Sequence, residues 1–170
     1  MKTIYKSSEI ADLWLRGEIY SASTSGRNFY FNGESIYSYG PHFMIAREAI
    51  NKNGDVAILL TTRGYSNTTA KHIAHVTDAV IKSGAKVIRC AHPNDNMHIE
   101  NFKDYRSYLL HSISSLSVAR KPEIYIQEID RARNTISSYC DFFGLAIPDF
   151  LQSGLAVTCK EDAKNYMKSI

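Results

Sequence analysis

The sequence predicts an α+β fold: an antiparallel β-meander of four to five strands with packed helices, followed by a C-terminal helical hairpin. Three observations predict it. Asn32-Gly33 stands between two short alternating segments, the pattern of a tight hairpin. Asn51-Lys52-Asn53-Gly54 separates two further strand-like runs, residues 43–50 and 56–62. Beyond Pro93 the apolar residues recur at helical spacing in two long stretches. With 170 residues the chain is expected to form a single domain, 1–170, with an αβ half (1–92) and a mainly helical half (93–170).

Taken in order, residues 8–16 read as a short helix with Ser7 or Ser8 as N-cap, Ile10, Leu13 and Trp14 on one face, and Gly17 at its end. Residues 20–26, rich in serine, read as a polar connector. A type I′ turn at Asn32-Gly33 would pair Phe31 with Glu34, Tyr30 with Ser35, Phe29 with Ile36, Asn28 with Tyr37 and Arg27 with Ser38. That register puts Phe29, Phe31 and Ile36 on a core face and Asn28, Tyr30, Ser35, Tyr37 and Tyr39 on the other. Three tyrosines on one sheet face suit either a surface covered by a helix or a stacking platform for bases.

Gly40-Pro41 turns the chain into the second hairpin. Residues 63–72 then lead into a helix that runs to about Ser83 and closes at Gly84, with Ile73, Val76 and Val80 inward and Lys71, His75, Asp78 and Lys82 outward. Residues 85–91 form a further strand and 92–96 a loop at the boundary between the halves. Phe102, Leu109, Ile113 and Leu116 mark one helix of the hairpin. Pro122 opens the second, whose stripe runs from Tyr125 through Ile129, Ala132, Ile136 and Cys140 to Phe143, before Gly144. A short helical turn near 147–151 and a charged C-terminal helix from Lys160 complete the chain.

Composition narrows the function classes. A hydrophobic fraction of 44% and a charged fraction of 22% are those of an ordinary globular protein. No apolar run approaches the roughly 18 residues that cross a bilayer, and the N-terminus lacks a secretory pattern, so a cytoplasmic location is expected. Cys90, Cys140 and Cys159 are widely spaced and outside any CxxC pattern, which argues for free thiols and against zinc. The net charge of +3 is unevenly distributed: residues 20–92 hold eight basic against four acidic side chains, and 93–170 hold nine against ten. An anionic partner for the first half is the consequence.

The densest chemistry lies at the strand-to-helix junction 63–72. A helix N-terminus offers free N–H groups and a partial positive charge; Ser66, Thr68 and Thr69 add hydroxyls, and Arg63, Lys71 and His72 add cationic or donor groups. That set suits a phosphate, although the GK[ST] ending of a P-loop is missing. Ordinary capping by Ser66 or Asn67 is the simpler account of one or two of these residues. His42 follows the Gly40-Pro41 corner, with Arg47 in the next strand and Arg27, Tyr37 and Tyr39 on the first hairpin.

The expected ligand-binding set is therefore Arg27, Tyr37, Tyr39, His42, Arg47, Arg63, Ser66, Thr68, Thr69 and Lys71. The favoured function is a non-enzymatic binding protein for nucleic acid or a nucleotide, with no cofactor. One alternative is a small metal-independent phosphodiester-processing enzyme with His42 and His72 as its acid–base pair. No metal site is expected, because His72, His75, His92 and His98 come without an HExxH pattern, a cysteine partner or paired carboxylates. Arg120, Lys121, Arg131 and Arg133 alternate with Glu123, Glu128 and Asp130 as on a solvated helix face. Another alternative is an adaptor or inhibitor that docks on a host protein through the helical hairpin.

The pattern Phe31-x-Gly33-x-x-Ile36-Tyr37-Ser38-Tyr39-Gly40-x-His42-Phe43-x-Ile45-Ala46, followed by Tyr65-Ser66-x-Thr68-Thr69-x-x-His72, resembles a group of small proteins encoded in bacteriophage and mobile-element genomes. The resemblance covers about residues 29–76. It implies a phage-derived protein acting in the cytoplasm of a bacterial host cell, and it supplies no catalytic residues. In that setting a nucleotide signal of host defence is one conceivable ligand, by analogy alone.

Overall fold

A computed structural model describes residues 4–170. The fold is α+β, with six strands and six helices among the described residues. The chain forms two compact units, Met1–Met97 and His98–Ile170, so the division falls just beyond the loop at 92–96 expected to mark the boundary.

In the first unit, helix α1 (Ser7–Arg16) precedes strands β1 (Ser21–Ser23), β2 (Phe29–Asn32), β3 (Ser35–Ser38), β4 (Met44–Ile50) and β5 (Val56–Thr61). Helix α2 (Asn67–Ser83) then crosses over to β6 (Val87–Cys90). The strands lie in the order β1 to β6; β1–β5 form an antiparallel meander, and β6 joins β5 in parallel. The sheet is thus mixed and longer than expected. The extra strand is β1, inside the stretch read as a connector, where only buried Ala22 stands between two serines. The cap of α1 also differs: the helix starts at Ser7, and the backbone N–H of Lys6 is taken by the Glu9 carboxylate at 2.8 Å.

The first hairpin turns one residue later than the Asn-Gly pair suggests. Asn32 pairs with Ser35, Phe31 with Ile36, Tyr30 with Tyr37 and Phe29 with Ser38. Gly33, at φ 57, is the first central residue and Glu34 has a negative φ, which matches a II′ rather than a I′ turn. The pairing slips by two places, so the side chains keep their faces. Phe29, Phe31 and Ile36 meet Ile58, Leu60 and Ile45 in a core covered by Ile10, Ala11 and Trp14 of α1 and Val76, Ala79 and Val80 of α2. Ile73 packs against this core while only partly buried, and the inward stripe of α2 also takes in Thr69 and His72. At the end of β3, Tyr39 takes φ 61 and leaves the alternation.

The second unit holds α3 (His98–Val118), α4 (Glu123–Phe143), α5 (Asp149–Leu155) and α6 (Lys160–Ser169). Contacts from His98 and Asn101 to Tyr139, and from Ser112 to Glu128, run in opposite chain directions, so α3 and α4 form the expected antiparallel hairpin. Tyr139 is its anchor: its ring lies 4.9 Å from that of Phe143 and its buried hydroxyl accepts from Asn101 Nδ2 at 3.0 Å. Arg133 keeps Asp130 as its partner on the expected charged face and also donates to the carbonyls of Leu155 and Val157, holding the end of α5. The Leu155 carbonyl ends the short helix and that of Val157 lies beyond it, and a guanidinium can serve several such acceptors at once.

Candidate functional site

The first turn of α2 opens at the C-terminal end of β5. Thr61 fixes that exit: its hydroxyl donates to the Ala91 carbonyl at 2.9 Å and accepts the Arg63 N–H at 3.1 Å. Ser66 is the N-cap, extended at φ −144, with its hydroxyl oxygen accepting the Thr69 N–H at 3.2 Å. No acidic residue lies in this turn, so its partial positive charge is uncompensated within the helix.

Behind the turn a chain of hydroxyls runs into the core. Ser66 Oγ donates to Thr69 Oγ1 at 3.1 Å, Thr69 Oγ1 lies 3.1 Å from Ser38 Oγ, and Ser38 Oγ lies 2.8 Å from His72 Nδ1. One polarity serves every member: each hydroxyl donates to the next, and Nδ1 accepts at the end. His72 is then neutral with its proton on Nε2. Its ring stacks on Phe29 at 4.4 Å between centroids and 7° between planes, and it is 4% exposed. Burial, followed by the nearby His75, lowers its pKa, in keeping with the neutral form.

In front of the turn lies an exposed rim. Tyr65 is 71% exposed, with its ring 6.0 Å from that of Phe43. The Arg63 guanidinium lies 6.0 Å from the Phe43 centroid and 3.5 Å from His92 Nδ1. Tyr39 joins this side, its ring 6.1 Å from that of His72. Aromatic faces and a cation around free helix N–H groups can hold an anion beside a planar ring.

The ten expected binding residues divide between the two faces of the sheet. Arg63, Ser66, Thr68, Lys71 and Tyr39 belong to the α2 side. Thr69 is there too, but it is fully buried and engaged with Ser38 and Ser66, so it supports the turn from behind. Arg47 and Tyr37 lie on the opposite face, because Arg47 pairs across the sheet with Ser35 and Leu59, and Tyr37 with Tyr30. Arg47 is also occupied: Nε donates to the Pro93 carbonyl at 2.8 Å and Nη1 meets Asp95 at 2.8 Å. Arg47 therefore does not share one pocket with Thr69 and His72.

Arg27 is exposed in the β1–β2 connection at φ 53, and His42 is exposed in the turn after Gly40. His72 Nδ1 meets Ser38, and its ring stacks on Phe29 and lies 6.1 Å from that of Tyr39. Ser38 is the residue the sequence reading missed. It follows Ile36 by two places, and strand alternation alone would have turned it toward the core. Among the described residues no group of three or more His, Cys, Asp and Glu side chains is gathered for a metal, and no helix is long and apolar enough to cross a membrane. Set against protein-family models, curated proteins and solved structures, the chain matches none.

Proposed function

We propose that the protein is a non-enzymatic binder of an anionic ligand, a nucleic acid or nucleotide, in the phage-type setting that the motif resemblance implies, and that the ligand meets the first turn of α2. The observation that carries this reading is the turn itself: a 17-residue helix with no acid in its first turn, the exposed Ser66 cap, and Arg63, Tyr39 and Tyr65 around its opening. It lies at the carboxyl end of a parallel strand pair, the side on which open α/β sheets receive ligands. A buried, stacked His72 makes binding a better account of the site than proton transfer.

The test is fluorescence anisotropy with a labelled single-stranded oligonucleotide over a salt series, beside thermal shifts with a nucleotide panel. Binding is expected to weaken with salt, and Arg63→Ala with Lys71→Ala should reduce the slope of log affinity against log salt by about 1 for each phosphate no longer neutralised. A nucleotide ligand would instead raise the melting temperature by mass action, with little effect from long strands. Unchanged affinity in the double variant removes the α2 turn as the site.

A further inference from the structure

On the face of the sheet opposite α2, a cavity of about 440 Å³ runs along β1 and β2. Volumes of this order are those of small-molecule sites. Its two ends differ in chemistry. At one, the ring of Tyr20 lies over the β2–β3 turn, 3.4 Å from where a Cβ on Gly33 would stand, and Tyr20 is 76% exposed. At the other is Arg27, whose backbone is held at φ 53 by a hydrogen bond from its N–H to the Thr24 carbonyl at 3.0 Å.

Between them Tyr30 forms part of the wall, its ring stacked at 5.1 Å and 17° on Tyr37 behind it. Ser23 stands directly across from Tyr30, and Ser21 across from Asn32. The side chains of Ser21, Ser23 and Asn32 and the guanidinium of Arg27 make no hydrogen bond or ion pair within the described residues. Four unspent polar groups and two tyrosine rings thus line one concavity.

We propose that this cavity is a nucleotide site in which Tyr20 and Tyr30 hold a base, Ser21, Ser23 and Asn32 meet its polar edge or the sugar, and Arg27 takes the phosphate. Stacking on an aromatic face is open to any base, and a guanidinium pairs bidentately with phosphate oxygens. An added peptide strand fits less well, since the outer edge of β1 is already met by Tyr5, whose N–H donates to Ser23 O at 3.0 Å. The proposal rests on the reading that the ligand is anionic, but not on its placement at α2.

Isothermal titration of the full chain with the four nucleoside 5′-monophosphates and their nucleosides tests it. At least one monophosphate should bind. Tyr20→Ala should weaken it by about 5- to 150-fold, the range measured for loss of one base–aromatic stack. Arg27→Gly should weaken the monophosphate about tenfold, leave any nucleoside binding unchanged, and not lower the melting temperature, because glycine takes φ 53 without strain. Monophosphate binding lost with Tyr20→Ala and Arg27→Gly but kept in the Arg63→Ala, Lys71→Ala variant supports this site and removes the α2 turn as the place where a mononucleotide binds. Loss only in the latter variant overturns this proposal and leaves the α2 reading standing. No binding of any monophosphate at millimolar concentration also overturns it, with oligonucleotide anisotropy then deciding the α2 reading separately.

Discussion

Ser38→Ala is the sharpest probe of the polar chain behind the α2 turn. Ser38 is fully buried and joins two neighbours, Thr69 Oγ1 at 3.1 Å and His72 Nδ1 at 2.8 Å. Removing its hydroxyl does not orphan Thr69, which keeps Ser66. It does leave His72 Nδ1 without its partner inside the core. An unsatisfied buried group costs about 1–3 kcal/mol, so a loss near the middle of that range, about 2 kcal/mol, is expected. With a urea m-value of about 1–3 kcal/mol/M, the midpoint should fall by roughly 1 M. Trp14, the one tryptophan of the chain, packs in the same core, so its fluorescence follows the first unit.

The same network predicts a pH dependence. The folded-state pKa of His72 lies below its ordinary 6.5, first through burial and then through His75. The unfolded chain therefore binds more protons in the acid range, and stability rises with pH there. The contribution is full above about pH 6.5 and is lost as pH falls from there through the folded-state value. His72→Gln, which does not titrate, should flatten the pH 5–7 dependence. A Ser38→Ala change below 0.5 kcal/mol, or an equal pH slope in wild type and His72→Gln, would refute the reasoning.

Three further outcomes follow from the packing. Cys90 and Cys140 are buried and Cys159 is exposed, so the native protein should react with one equivalent of a thiol reagent at pH 8 and with three after denaturation. Burial, against the opposing charge of Arg47, pushes the Cys90 thiol up to about 12, so its contribution to stability is full below about pH 9 and declines as pH rises toward 12. Arg133→Met should destabilise the second unit by about 2–3 kcal/mol, because the Leu155 and Val157 carbonyls lose a charged donor; thermal unfolding followed by far-UV circular dichroism reads this.

Much of the fold was legible because its signals are local. Ser66 and Gly84 bound α2 as N-cap and left-handed C-cap, and Gly144 ends α4, as the residue types require. The faces of the first hairpin survived a wrong turn because a two-place slip preserves parity. What was not legible depends on distant partners. Arg47 is claimed by a carbonyl 46 residues away, and nothing near it in the chain announces Pro93. β1 is three residues with one apolar side chain, too little alternation to read as a strand. Thr69 and His72 are polar types that usually face water; they are buried because Ser38 and Ser66 satisfy them, and that pairing exists only once β3 and α2 are packed.

The division of the expected binding residues between two sheet faces has a consequence for any ligand. Arg63 and Tyr39 stand on the α2 side, whereas Arg27 lines the cavity with Tyr30 on the other. A mononucleotide cannot touch both faces of a packed sheet, so Arg27→Gly and Arg63→Ala should not couple through it. In a double-mutant cycle on monophosphate affinity, only one of the two should act, and the pair should add to within about 0.5 kcal/mol. A single-stranded oligonucleotide can pass around the end of the sheet and reach both. For it each variant should weaken binding and lower the salt slope, each by about 1. Strong coupling between the two arginines with the mononucleotide would mean that the ligand bridges them, and the two faces could not then be separate sites.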